Sequence, residues 1–185
     1  MRARARTLLL ALLLAAGPGP AAIAAETARS APQSAAVSGA GALNLAGCAA
    51  RRFFVFDVYH LRLYLPRRPA HETVAFDRRL PKMVELEVTY PGNVPGDMPG
   101  SWRKRFQERL PPALIADLRS IYRNLRGGDV LSIDYRPERG SLVRLNGAVQ
   151  IADHGPELIE ALLDIWMGPR ALHPEIRQQL LSGRC

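Results

Sequence analysis

The residues best placed to do chemistry lie in one stretch, Phe53 to Pro66, which reads FFVFDVYHLRLYLP. Asp57, Tyr59, His60, Arg62 and Tyr64 follow one another along a segment that is otherwise apolar and aromatic. Such a segment is expected to be buried, and buried polar groups need partners, whether from the protein or from a ligand. At a period of two, Phe53, Val55, Asp57, Tyr59, Leu61, Leu63 and Leu65 fall on one face and Phe54, Phe56, Val58, His60, Arg62 and Tyr64 on the other. Both faces are rich in aromatic and β-branched residues, which predicts one long central strand covered on both sides.

Other reactive side chains do not assemble into a recognisable machine. His60, His71, His154 and His173 lack the i, i+4 spacing or clustered carboxylates of a metal site. No Gly-rich phosphate loop, GxSxG or CxxC is present, and the spacing implies no cofactor. Glu85 and Glu87 alternate along a strand pattern, on a face that is wet or lies against basic residues. Cys48 and Cys185 are the two cysteines, and neither has a His nearby that would make it a nucleophile. In an exported chain they are candidates for one disulfide, with two free thiols as the alternative.

The chain that must position these groups has 185 residues and 48% hydrophobic content, enough for one domain with a real core. Arg2, Arg4 and Arg6 precede the apolar run Leu8 to Ala16, and Ala22-Ile23-Ala24 offers the small residues of a cleavage site. Residues 1–24 therefore read as a secretory signal peptide and the mature protein as periplasmic, with no integral membrane segment left after cleavage. Those residues hold three arginines and no acids, so their removal takes the formal charge from +8 to +5. The remaining arginines are interspersed with acids, which argues against a nucleic-acid partner. Residues 25–42, rich in Ala, Ser, Gly and Pro, read as a flexible leader, and residues 43–185 as the folded domain.

Within that domain, Val84 to Tyr90 alternates as a clear strand and is followed by a loop dense in Pro and Gly up to Gly100. Ser101 is placed to cap a helix carrying Trp102, Phe106 and Leu110. Pro111-Pro112 opens a second helix that Gly127-Gly128 stops. Residues 129–151 form a three-stranded meander, its last turn marked by Asn146-Gly147. Leu158 to Trp166 and Pro174 to Leu181 give two further helices. Strands in a block with helices between and after them mean α+β: an open-faced antiparallel β-sheet with a layer of helices packed on one face.

The ordered set of elements resembles the chalcone isomerase-like family, in particular its bacterial exported members. The resemblance is carried by Arg51 before the aromatic run into Val58-Tyr59, Leu63-Tyr64-Leu65-Pro66, Trp102-Arg103 with Phe106, Gly127-Gly128-Asp129-Val130, Asn146-Gly147, Leu162 to Gly168, and Leu180 to Gly183. It implies an open-faced β-sandwich. It further matches Arg51 to the arginine of the family's site and places Tyr59 where the isomerases carry a threonine. The other polar groups of the isomerases have no counterpart around Trp102 to Phe106, and Ile165-Trp166 replaces a small polar position. Non-enzymatic members hold a fatty-acid carboxylate with an arginine and a tyrosine. The resemblance thus points to a non-catalytic domain binding a small amphipathic or carboxylate ligand through Arg51 and Tyr59, between sheet and helices. An isomerase or lyase acting on a conjugated enone, and a protein-interaction domain without a small ligand, are the alternatives. Trp166 is expected to narrow any pocket, and Asp57 and Asp164 to pair with arginines such as Arg51 or Arg62.

Overall fold

The computed structural model describes residues 42–68, 70–94 and 96–185. The signal-peptide reading of residues 1–24, and all but the last residue of the leader, fall outside these. Six strands form one antiparallel sheet in sequence order: β1 (Asn44–Phe53), β2 (Phe56–Leu65), β3 (Lys82–Val88), β4 (Val130–Arg136), β5 (Gly140–Leu145) and β6 (Ala148–Asp153). A short α1 (Glu72–Ala75) follows β2. Helices α2 (Gly100–Gln107) and α3 (Pro112–Asn124) lie between β3 and β4, and α4 (Glu157–Trp166) and α5 (Pro174–Leu181) follow the sheet.

One register row explains the core. Gly47, Leu63, Val84, Ile133, Val143 and Ile151 are paired across all six strands, and the five with side chains are all buried. This face carries the helix layer. Helix α4 is buried from Leu158 to Trp166, and its two buried carboxylates, Glu160 and Asp164, face Arg78 and Arg105. Gly47 is needed where α5 crosses β1, because a Cβ there would lie 2.0 Å from the Leu180 carbonyl oxygen. Beside this crossing the structure bonds Cys48 to Cys185, with Cα atoms 4.9 Å apart.

The long central strand expected over Phe53 to Pro66 is instead a hairpin. β1 and β2 pair from Phe53 opposite Phe56, leaving Phe54-Val55 as the turn. Phe54 takes a φ of 53°, a left-handed conformation that glycine or asparagine normally supplies. With no Gly, Asn or Pro as punctuation, the turn is invisible in the sequence. β2 is also next to the edge strand rather than central, and it is covered on one side only. Tyr59, Leu61, Leu63 and Leu65 face the helices, while His60, Arg62 and Tyr64 are half-buried on the open face.

On that open face Arg62 donates to Glu85 Oε1 and Glu87 Oε2, both at 2.7 Å. The acids partner Arg62 directly, and the expected roles of the two aspartates are filled differently. Asp57 pairs with Arg52 at 3.0 Å and Asp164 lies 3.9 Å from Arg105, so neither meets Arg51 or Arg62. Ser101 does not cap α2: the N-cap is Pro99, with no side-chain cap bond.

Candidate ligand cavity

Between the sheet and helices α2 and α3 lies a cavity of about 680 Å³, within the size range of small-molecule sites. Its floor is the helix-facing side of β2 and β3 with Leu131 of β4. Trp102 and Phe106 of α2 and Leu118, Ile121 and Tyr122 of α3 form the opposite wall, and Leu162 of α4 closes the inner end. Val94 and Met98, from the Pro- and Gly-rich loop, and the hairpin residues Phe53, Phe54 and Phe56 border it. The lining is therefore mainly aliphatic and aromatic, with a few polar groups among it.

Arg51 and Tyr59 are cross-strand partners on β1 and β2, and both line this cavity. Their proximity follows from the tight turn, which folds residues eight apart in sequence back alongside each other. The Arg51 side chain is about a quarter exposed; its Nη1 donates to the Arg52 carbonyl at 2.9 Å and lies 3.4 Å from Glu175 Oε1. No partner among the described residues engages its Nε or Nη2, leaving a fork of charged donors available.

Tyr59 is 9% exposed and stands within an aromatic cluster, edge-on to Trp102 and to Trp166 with ring centroids 6.4 Å away in each case. Trp166 Nε1 donates to its hydroxyl oxygen at 3.2 Å. The oxygen thus acts as acceptor, while the hydroxyl hydrogen has no acceptor among the described residues. Burial pushes the phenol up to about 12, against the lowering influence of the Trp166 hydrogen bond and of Arg51. At neutral pH Tyr59 is therefore a proton donor in hydrogen bonds and not a base.

Trp166 does not narrow the cavity. It is buried behind Tyr59 and orients the phenol, whereas Trp102 and Phe106 are the aromatic residues that face the hollow.

Tyr90, Ser101, Tyr122 and His173 also line the cavity, and none was singled out as a site residue by sequence reasoning. Ser101 is the residue that the sequence places at a helix start, and His173 is the N-cap of α5. Burial and the Arg51 charge both depress the His173 pKa, favouring neutral imidazole. Nothing local in the sequence distinguishes these positions, because each reaches the cavity from a different element.

His60, by contrast, is on the open face, 3.9 Å from Asp57. Among the described residues no three His, Cys, Asp or Glu side chains gather as a metal-binding group. A second, more open depression of about 720 Å³ runs along β1, β2 and α5 beside the disulfide. Two arginines line it, Arg62, already held by two carboxylates, and Arg184 near the C-terminus.

A sequence model of the chalcone isomerase-like family matches residues 24–182. The chain belongs to the chalcone isomerase-like family. No curated protein matches it. Among solved structures it is similar to a fatty-acid binding protein from Arabidopsis thaliana, at 14% identity and a TM-score of 0.51, over 76% of this chain and 87% of that one. At that identity the likeness shows the fold: an open antiparallel sheet with helices. The roles of Arg51 and Tyr59 must be argued from the cavity itself.

Proposed function

We propose that this protein binds an amphipathic carboxylate of the fatty-acid type without transforming it. The single observation that carries the reading is the set of donors left over, Arg51 Nε and Nη2 and the Tyr59 hydroxyl, at one wall of an apolar hollow. A carboxylate can accept from both at once, and charge-assisted bonds of this kind are among the stronger ones in proteins. An acyl chain supplies the rest, at about 0.8 kcal/mol for each methylene moved out of water. The structurally similar Arabidopsis protein, described as a fatty-acid binding protein, supports the same choice.

The test is displacement of a fluorescent fatty acid from wild type and from Arg51→Ala. Loss of a charged donor corresponds to about 1.5–3 kcal/mol, so affinity should fall by roughly 10- to 100-fold. The matching fatty alcohol, which lacks the charge, should bind both proteins alike. Equal carboxylate affinity in the two proteins would sink the reading.

We further propose that the protein works outside the cytoplasm. The motives are the arginine-flanked apolar segment at the N-terminus and the Cys48–Cys185 bond, which persists in oxidising compartments. Intact mass of protein recovered from the exporting cell should lack residues 1–24; a full-length mass would refute it.

A further inference from the structure

The β1–β2 turn presents four consecutive apolar side chains to solvent: Phe53 at 57%, Phe54 at 83%, Val55 at 84% and Phe56 at 53% exposure. Among the described residues the only other large hydrophobic so exposed is Val149, alone on β6. Scattered single residues of that kind are ordinary, but a contiguous aromatic tip calls for a partner. Phe53 and Phe54 meet edge-on at 4.7 Å, forming one small wedge. Phe54 holds a left-handed backbone that a glycine would adopt more easily, so the aromatic ring occupies the apex at a conformational cost.

The wedge is also part of the ligand cavity, because Phe53, Phe54 and Phe56 border its mouth while Val55 does not line it. Arginines accompany residues of this cavity. Arg52 is largely exposed directly behind the tip, answered by Asp57. Arg123 and Arg126 flank the cavity-lining Leu125, are exposed, and have no ion-pair partner among the described residues.

We propose that the hairpin tip Phe53–Phe56 docks into the surface of an anionic lipid bilayer, so that the cavity mouth opens onto the membrane. The occupant is argued from size and charge. A two-residue turn offers far less area than the 1,000 Å² or so that a stable protein partner needs. A few aromatic side chains at the water–lipid boundary, flanked by arginines, suffice for reversible attachment to negatively charged headgroups. No helix among the described residues is long and apolar enough to cross a membrane, which fits attachment by the tip alone. This inference rests on the fatty-acid reading for its purpose: a ligand with a long acyl chain could pass between bilayer and cavity without crossing water.

The experiment is co-sedimentation with vesicles of phosphatidylcholine containing phosphatidylglycerol, set against phosphatidylcholine alone. Wild type should partition onto the anionic vesicles, at least tenfold more weakly after Val55→Asp and several-fold more strongly after Val55→Trp. Both variants should keep wild-type fatty-acid affinity in solution, since Val55 is outside the cavity lining. Should Val55→Asp lower the melting temperature, the Val55→Trp arm decides alone. Wild type that ignores anionic vesicles, or variants that partition like it, would overturn the proposal. So would a concentration-dependent dimer, seen without lipid and abolished by Val55→Asp, because the tip would then serve a second copy. Loss of fatty-acid binding with vesicle binding intact would count against the cavity reading and leave the docking surface standing.

Discussion

Two buried tyrosines on the same face of the sheet have opposite circumstances. Tyr135 donates its hydroxyl to the Arg78 carbonyl at 2.7 Å, beneath a cluster whose donors have acceptors. Glu160, on α4, receives Arg78 Nε at 2.6 Å and Nη2 at 2.7 Å, with Arg109 at 3.6 Å. Lys82, fully buried, donates to the Asp77 carbonyl at 2.7 Å and lies 5.2 Å above the Tyr135 ring. Tyr59 accepts from Trp166 but keeps its own hydrogen unspent, and the Arg51 beside it keeps most of its fork. A satisfied polar cluster rigidifies a core, whereas donors left over beside a hollow are capacity for something else to bind. The difference separates a structural junction around α4 from a binding end around the β1–β2 hairpin.

The largest effect that can test this division is Glu160→Gln. Removing one partner of a buried ion pair is costly, though Arg78 is well exposed and can find water. We expect a loss of roughly 2–3 kcal/mol of stability in chemical denaturation, with fatty-acid affinity unchanged. A large loss of affinity would mean that the two regions are not separable.

Lys82 gives an effect spread over a window of pH. Burial lowers its pKa from 10.5 to about 8, so between those values the unfolded chain holds a proton that the folded protein has released. Stability contributed by this group therefore rises with pH across that window, by at most about 1.4 kcal/mol per pH unit. Below pH 8 both states carry the charge and the contribution is flat. Comparing the stability of wild type and Lys82→Met from pH 7 to 10.5 should isolate the rise in the wild type; parallel curves would show that the junction does not force Lys82 to shed its proton.

The smallest effect is the sharpest comparison. Tyr59→Phe and Tyr135→Phe each delete one hydroxyl, worth about 1 kcal/mol when hydrogen-bonded. Only Tyr59→Phe should weaken fatty-acid binding, by several-fold, measured by the same displacement assay. Equal affinities in the two variants would erase the distinction between spent and unspent donors.

How much of this was legible beforehand follows the same division. The meander from Val130 to Asp153, the helices α3, α4 and α5, and the open-faced sheet carry strong local signals: Asn146-Gly147, Pro at helix starts, apolar periodicity. The β1–β2 turn carries none, since Phe54 and Val55 occupy positions where the rules ask for glycine or asparagine. Reading it as continuous strand hid the edge position of β1 and the pairing that sets Arg51 beside Tyr59. Those two residues were nevertheless reached, through the resemblance. Ser101, Tyr122 and His173 were not, because a cavity assembled from α2, α3 and the start of α5 has no signature in any one segment.

The bond between Cys48 and Cys185 makes nearly the whole described domain a single covalent ring, its two ends 137 residues apart in sequence. Neither end of that ring can fray alone, because β1 and the C-terminus hold each other. A protease that cuts any loop from Ala49 to Arg184 opens the ring but releases no fragment. The severed pieces stay tethered, at the concentration of an intramolecular pair, and the sheet can close again over the cut. In surroundings where peptidases are common and chaperones scarce, such a domain survives a nick that would dismantle an untied one.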